Sequence, residues 1–207
     1  MRKGEAVHEL IDRFNRVAQP YLQVFKPNTC IEQTRILAEC LREFGVPVEP
    51  IETTLFVHCP KLNLAYVSGA TAEERARGKA VAGCWIDCTT TEGEGYGHVL
   101  AVAEIGSQFY LIDPTLAQAS QPNHGPVIPV CCVQIGPVAR RPEPCCQIEA
   151  GFELNDGNEI AVLWRLNGTR RFEQTPAWEP SHLWPLIHRI VREMKWAATV
   201  ETRRKAG

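Results

Sequence analysis

The chain has 207 residues, of which 44% are hydrophobic, so it is long and apolar enough for one domain that folds alone. Its 22 basic and 24 acidic residues leave a formal net charge of -2, which argues against a nucleic acid or an anionic membrane surface as a partner. Because no apolar run is typical of a membrane span or a signal peptide, we expect a soluble, cytoplasmic protein.

The N-terminal part of the sequence predicts two helices. Apolar residues recur at helical spacing from 5 to 18, and Pro20 is expected to end this first helix. The second helix has clearer boundaries, because Thr29-Cys30-Ile31-Glu32 is typical of a capping box and Gly45 of a helix end. These signals place Cys30 at the first helical position.

Strands are predicted to follow. The β-branched residues from 46 to 57 predict one strand bent at Pro50, or two short strands. Residues 98 to 105 and 108 to 112 are apolar runs on either side of Gly106-Ser107, a pair that suits a type II′ hairpin turn. Because both faces of this hairpin are apolar, we expect it at the centre of a sheet.

The second half of the sequence predicts a connection, a hairpin and a helix. Seven of the 15 prolines lie between 114 and 144, so the connection 114–146 is expected to run extended, without a helix. Residues 147 to 166 alternate as in a second hairpin, and a last helix is predicted from Ser181 or Pro185 to about 199, with a frayed tail from Arg203. This order of elements indicates an α+β fold.

Nine cysteines raise the questions of disulfides and metal. Their odd number and the size of the chain argue against a disulfide framework. No Cys-x-x-Cys pair occurs, and adjacent pairs such as Cys131-Cys132 suit a tetrahedral zinc site poorly. The glycine-rich residues 93–97 match no phosphate-binding loop. We therefore expect reduced thiols, no metal and no cofactor.

Cys30 is the best-placed nucleophile. A helix N-terminus stabilises a thiolate, and its free N–H groups can donate to the oxyanion of a tetrahedral intermediate. His98 is the candidate base: with 106 and 107 as the loop, paired positions of the hairpin sum to 213, so Asp113 lies diagonal to His98 on one face. Asp113 would orient the ring, and the other ring nitrogen would meet Cys30.

Two segments resemble signatures of the transglutaminase-like superfamily. Residues 28 to 48, NTCIEQTRILAECLREFGVPV, resemble its Cys-helix-Gly-(Ile/Val)-Pro signature, and Gly97-His98 with Leu111-Ile-Asp113-Pro-Thr115 resembles its Gly-His and Asp-Pro-Thr signature. The resemblance implies one papain-like domain over 1–207, with a catalytic core at about 20–120. It also implies thiol acyl chemistry by a Cys-His-Asp triad, as in bacterial cysteine peptidases and arylamine N-acetyltransferases.

The resemblance covers about residues 26–50 and 95–120 and leaves the subfamily open. Val99-Leu100 replace the aromatic residue that commonly follows the histidine in transglutaminases, and the Arg-Gly-Gly and Val-Gly-Phe-Gly motifs typical of the acetyltransferases are absent. Hydrolysis of a peptide, isopeptide or related amide bond is the first choice. Acyl transfer to an amine and a catalytically inactive binding module are the alternatives, so the expected partner is a peptide, a protein or a small acyl or amine substrate.

Four further residues are candidates for supporting roles. Gln23 precedes Cys30 by seven residues, close to the offset of the oxyanion glutamine in papain-like peptidases, and Asn28 is the nearer alternative. Trp85 and Tyr96 are candidates for the substrate cleft; the segment around Trp85 could cover the active site.

Overall fold

The computed structural model describes residues 5–25, 29–69, 73–74, 76–77, 84–87, 97–105, 107–120, 128, 133–138 and 140–206. Its long helices are α1 (Glu5–Leu22), α2 (Cys30–Arg42) and α3 (Trp184–Ala206). Within these residues, eight strands form one sheet: β1 (Val48–Cys59), β2 (Leu64–Ser68), β3 (Cys84–Asp87), β4 (His98–Ile105), β5 (Gln108–Asp113), β6 (Val133–Val138), β7 (Gln147–Glu153) and β8 (Glu159–Leu166). The fold is α+β, as predicted.

The long strand β1 joins the parts of the sheet. Its first half pairs with β4, with Thr53 opposite His98, and its second half pairs with both β2 and β8. β5 and β6 continue the sheet beyond β4, and β7 continues it beyond β8. β3 pairs with β2 in parallel, whereas the other described pairs are antiparallel. The sheet curls into a half-barrel.

The β4–β5 hairpin is buried on both faces and lies centrally in the sheet, as predicted. Successive side chains of a strand point to opposite faces. Ala101 and Ile112 therefore pack with the three long helices on one face, and Leu100 and Leu111 pack with β1 and β8 on the other. This double burial explains the continuous apolar runs of the two strands, and it leaves His98, the first residue of β4, fully buried.

The prediction that Pro20 ends the first helix is wrong. α1 continues to Leu22, with Pro20 inside its last turn. A proline there removes one backbone hydrogen bond, and burial of Leu22 among the helices favours the two additional helical residues.

The prediction of a last helix ending near 199 is also wrong, because α3 runs to Ala206 through the predicted frayed tail. Ion pairs hold this end of the helix: Glu201 accepts hydrogen bonds from Arg13 at 2.8 Å and from Arg16 at 2.5 Å, both on α1. These contacts between distant parts of the chain stabilise the last turns against fraying.

Two predictions around α2 and β1 have different outcomes. α2 begins at Cys30 as predicted, but the capping box is wrong, since Thr29 makes no side-chain cap. The Gln33 side chain instead donates to the Thr29 hydroxyl at 3.0 Å. β1 is one continuous strand, and Pro50 lies within it opposite Ala101.

The remaining predicted elements are close to those observed. The proline-rich stretch has no α-helix among its described residues and contributes a 3-10 turn, Leu116–Ala119, and strand β6. The second hairpin is β7–β8, joined by residues 154–158. Between β8 and α3, the described chain forms three further 3-10 turns, Arg171–Gln174, Pro176–Trp178 and Pro180–His182.

Candidate active site

Three elements bring Cys30, His98 and Asp113 together. Cys30 is the first residue of α2, His98 the first of β4 and Asp113 the last of β5. The register of the hairpin is the predicted one, with Ala101 opposite Ile112. All three residues are buried: His98 and Asp113 are 0% exposed and Cys30 is 7% exposed.

α2 is fixed against β4 next to the histidine. The Thr34 hydroxyl, one turn into the helix, donates to the carbonyl oxygen of Val99 at 2.8 Å. Val99 also packs against Cys30. This buried bond ties the first turn of the helix to the first residues of the strand, and so holds the thiol beside the ring.

Two glycines allow the strands to meet at His98. Gly69, just after β2, and Gly97, just before β4, both have positive φ, at 79° and 69°. A Cβ on Gly69 would lie 2.6 Å from the Cα of Gly97, and a Cβ on Gly97 would lie 2.7 Å from the carbonyl oxygen of Thr53. The close approach therefore requires glycine at both positions, and it sets where β4 begins.

The Asp113 carboxylate is surrounded by hydrogen-bond donors. Its Oδ2 lies 2.7 Å from Nε2 of His98 and accepts a hydrogen bond from the indole Nε1 of Trp164 at 2.8 Å. Its Oδ1 accepts from the backbone N–H of Thr115 at 2.9 Å. These bonds satisfy a carboxylate that has no contact with water, and they fix the position of both oxygens.

The charges and hydrogen bonds within the His98–Asp113 pair together shift both pKa values more than burial does. Burial alone would lower the pKa of His98, but the charge of Asp113 and the hydrogen bond to it, together with the Cys30 side chain, raise this pKa to about 10. Burial would raise the pKa of Asp113, but the His98 charge and the hydrogen bonds to the carboxylate lower it. Both shifts favour a buried imidazolium–carboxylate pair over two neutral side chains.

The second ring nitrogen of His98 has a side-chain partner that was not predicted. Nδ1 lies 2.6 Å from Nε2 of Gln118, which projects from the 3-10 turn after β5. Both ring nitrogens are thus in hydrogen-bond contact with the protein. The ring orientation is held from both sides.

Aromatic side chains from the C-terminal part of the chain cover Cys30. Phe172 belongs to the same buried cluster as Cys30 and Val99, and Trp178 packs against this cluster, with its ring centroid 4.8 Å from that of Phe172. The guanidinium of Arg35, on α2, lies 4.5 Å from the centroid of the Trp178 ring. We call residues 171–178 the cover segment.

A buried carboxylate anchors the cover segment. Glu52 of β1 has a fully buried side chain, and its Oε1 accepts from Nη2 of Arg171 at 2.5 Å and from Nε of Arg171 at 3.1 Å. Its Oε2 accepts from the backbone N–H of Arg171 at 3.1 Å. Glu52 lies next to Thr53, which pairs with His98, so the anchor is part of the strand that flanks the base.

Of the four other predicted residues, the structure describes the side chain of Gln23 alone. Gln23 is exposed in the turn after α1, and Asn28 and Tyr96 lie outside the described residues. Trp85 lies in β3, which is separated from β4 by β2 and β1; its side chain is outside the described part. The roles proposed for these four residues stay predictions.

Trp164 and Gln118 carry the contacts that sequence reasoning missed. Trp164 lies on the buried face of β8, and a buried indole N–H needs an acceptor, but the alternation of residues 147 to 166 does not identify Asp113 as that acceptor. Gln118 follows the Asp-Pro-Thr motif closely, and this proximity was the only available signal.

A groove of about 720 Å³ lies away from this site, on strands β1, β2, β7 and β8. Its lining includes Phe56, Tyr66 and Leu163, and none of the three candidate catalytic residues.

Within the described residues, no three His, Cys, Asp or Glu side chains are grouped as metal ligands. None of the described helices is long and apolar enough to span a membrane. Comparisons with protein families, curated proteins and solved structures find no match.

Proposed function

We propose that the protein is a cysteine-dependent hydrolase of a peptide, isopeptide or related amide bond, with a transglutaminase-like, papain-like fold. The observation that carries this proposal is the buried Cys30–His98–Asp113 group. Nε2 of His98 lies 2.7 Å from the Asp113 carboxylate, and the Cys30 side chain is in hydrogen-bond contact with the same imidazole ring. A buried charged pair beside a thiol at a helix N-terminus is costly for a merely structural core, and it is what nucleophilic catalysis needs.

In the first step, the thiolate of Cys30 attacks the substrate carbonyl carbon while His98 carries the proton. The first backbone bond of α2 runs from the N–H of Gln33 to the carbonyl of Thr29, so the N–H groups of residues 30–32 have no partner within the helix. In this proposal, these groups stabilise the oxyanion of the tetrahedral intermediate.

In the second step, His98 donates its proton to the leaving amine, the C–N bond breaks and a thioester forms on Cys30. Water then attacks the thioester, His98 takes a proton from that water, and the C–S bond breaks to release the acid. The thiolate then returns with the imidazolium. Asp113 stays ionised throughout and stabilises the imidazolium.

Selective alkylation of Cys30 tests the proposal. We would measure the rate of iodoacetamide labelling at each cysteine as a function of pH by peptide mass spectrometry, in the parent and in His98→Ala. Cys40 is the matched internal control: it lies in the same helix, and its pKa is raised to about 12, first by burial and then by Glu39 and Glu43. We expect rapid labelling of Cys30 near pH 6 that depends on His98.

One outcome of the labelling experiment would contradict the proposal. Equal labelling of Cys30 in the parent and in His98→Ala would contradict the thiolate–imidazolium pair and favour the inactive binding module. A positive result leads to a screen of amides and thioesters.

Acyl transfer to an amine is the second candidate, and the cover segment favours it. Cys30 is only 7% exposed beneath Phe172 and Trp178, and exclusion of water slows hydrolysis of a thioester relative to attack by a bound amine. The partition of an acyl-enzyme between water and added amines distinguishes the two. A ratio of amide to acid product that rises with amine concentration and then reaches a plateau would support transfer.

A further inference from the structure

The contact between Gln118 and the Nδ1 atom of His98 has a consequence for the proton in the proposed reaction. Nε2 of His98 faces Asp113, an ionised carboxylate that only accepts hydrogen bonds, so Nε2 carries a proton and donates. The nitrogen that remains for the Cys30 proton is Nδ1. The amide nitrogen Nε2 of Gln118 lies 2.6 Å from that nitrogen, the orientation that fits a neutral Nδ1.

The turn that carries Gln118 is firmly held. The backbone N–H of Gln118 donates to the carbonyl of Thr115 at 2.9 Å, and two residues of the same turn, Leu116 and Ala119, are buried. The hydroxyl of the next residue, Ser120, accepts from the N–H of Ile128 at 2.8 Å. The carboxamide is therefore presented to the ring by a fixed backbone.

A carboxamide can partner either protonation state of Nδ1. Its NH₂ group donates to the lone pair of a neutral ring, and its carbonyl oxygen accepts from the N–H of an imidazolium. The two arrangements differ by rotation of the amide plane, which exchanges the oxygen and the nitrogen at one position. A leucine of similar size can do neither, and a glutamate can only accept.

We propose that Gln118 is a positioning residue whose carboxamide turns with the proton on Nδ1 of His98 and sets the pH range over which that ring holds the proton. This inference rests on the proposed function. With the imidazolium, the carbonyl oxygen of Gln118 faces Nδ1–H beside the thiolate. After proton transfer to the leaving amine, the NH₂ group faces the bare nitrogen and keeps the ring aligned for the incoming water.

The Gln118→Leu and Gln118→Glu variants test this proposal with opposite signs. Loss of the acceptor in Gln118→Leu destabilises the imidazolium, and we expect the His98 titration to shift down by about one pH unit. The carboxylate in Gln118→Glu stabilises the imidazolium, so the same titration shifts up. A residue that only fills space would not produce shifts of opposite sign in two variants of nearly the same size.

The measurement is ¹⁵N NMR of the histidine ring nitrogens across pH, which reports the protonation of Nδ1 and Nε2 directly. The His98 signals are assigned by comparison with His98→Ala. Gln147→Leu is the matched control, because Gln147 is exposed on β7 and its loss should leave the titration unchanged. The pH profile of Cys30 alkylation is recorded on the same variants, and thermal unfolding confirms that each one folds.

The outcomes separate this inference from the proposed function. Opposite shifts in the two Gln118 variants, accompanied by matching shifts in the alkylation profile, support the inference. An unchanged His98 titration in both folded variants overturns it, while dependence of Cys30 labelling on His98 leaves the proposed function standing. If His98→Ala leaves Cys30 labelling unchanged, the proposed function fails and the inference fails with it.

Discussion

The two sides of the candidate site are built by different forces. On the side of the base, hydrogen bonds from His98, Trp164 and Thr115 hold the Asp113 carboxylate, and all these residues belong to the sheet or the turn after it. On the side of the nucleophile, Cys30 packs against apolar groups, including Phe172 of the cover segment. The orientation of the base is therefore set by polar bonds, whereas access to the thiol is set by apolar packing.

This difference implies that the two sides respond differently to substitution. Hydrogen bonds have a narrow range of distance and angle, so changes around Asp113 should alter the chemistry. Apolar packing is less directional, and the cover segment is one short stretch with one buried anchor, so changes there should alter access to Cys30. The predictions below test that division, beginning with the nucleophile itself.

Cys30→Ser should have the largest effect. In the proposed chemistry, the hydroxyl cannot replace the thiolate, so turnover of any amide or thioester substrate should fall by on the order of 10³-fold or more. Steady-state rates on a substrate found with the parent provide the measurement. Cys145→Ser is the control, because Cys145 is free and exposed and should leave turnover unchanged. Residual activity in Cys30→Ser equal to that of the control would rule out Cys30 as the nucleophile.

The buried ion pair should make the free energy of unfolding depend on pH in the alkaline range. Because the folded-state pKa of His98 is raised to about 10, the folded protein holds a proton that the unfolded chain releases above about pH 6.5. The stabilisation is full below pH 6.5 and is lost as the pH rises to about 10. Over this window, we expect the free energy of unfolding to fall by several kcal/mol.

Urea denaturation at a series of pH values measures this slope. In Asp113→Asn, the pKa of His98 loses its main source of elevation, so the slope between pH 6.5 and 10 should largely disappear. The lowered pKa of Asp113 has its effect at acid pH: the free energy of unfolding falls as the pH drops below about 3.8. Parallel pH profiles for the parent and Asp113→Asn would show that the pair is not charged.

Trp164→Phe should have a smaller effect, because it removes one donor and keeps most of the packing. The variant leaves Asp113 with one charge-assisted hydrogen bond fewer, and we expect a loss of about 1–3 kcal/mol in the free energy of unfolding and about a tenfold loss of turnover. Trp196→Phe is the matched control, since Trp196 is 70% exposed. Equal effects of the two substitutions would indicate that the indole N–H does not position Asp113.

The parts of the site that could be predicted are those that depend on local signals. The position of Cys30 follows from the start of one helix, and the relation of His98 to Asp113 follows from one hairpin with a two-residue loop. The Trp164–Asp113 bond joins residues 51 positions apart, and it depends on how β8 pairs with β1 in the curled sheet. No local pattern encodes such a meeting.

The cover segment shows the same limit more strongly. Phe172 lies far from Cys30 in the sequence and joins its buried cluster from a short 3-10 turn. Such a turn is too short to show a hydrophobic periodicity from which its position could be predicted. The wrong prediction of a capping box at Thr29 shows that a local motif can be present without its usual hydrogen bond, since the Gln33 side chain donates to the Thr29 hydroxyl instead. Apart from the end of α3, helix and hairpin boundaries were therefore predictable to within a few residues, whereas the environment of the thiol was not.

Arg171→Gln should have the smallest effect on the chemistry and should act on access. The substitution removes the cation from the buried Glu52 while the backbone N–H of residue 171 can still donate, so the cover segment is loosened and not lost. The ion pair is attenuated by solvent because the Arg171 side chain is 50% exposed. We expect a few-fold faster alkylation of Cys30 by iodoacetamide, with no shift in the pH profile of labelling.

Arg189→Gln is the control for this last comparison. Arg189 forms an exposed pair with Glu193 of α3 at 3.2 Å, outside the cover segment, so its loss should leave the alkylation rate unchanged. A faster rate in Arg171→Gln alone would show that the anchor at Glu52 governs access to the thiol. If the pH profile moved along with the rate, the cover segment would also contribute to the electrostatics of His98, and the division between orientation and access would be wrong.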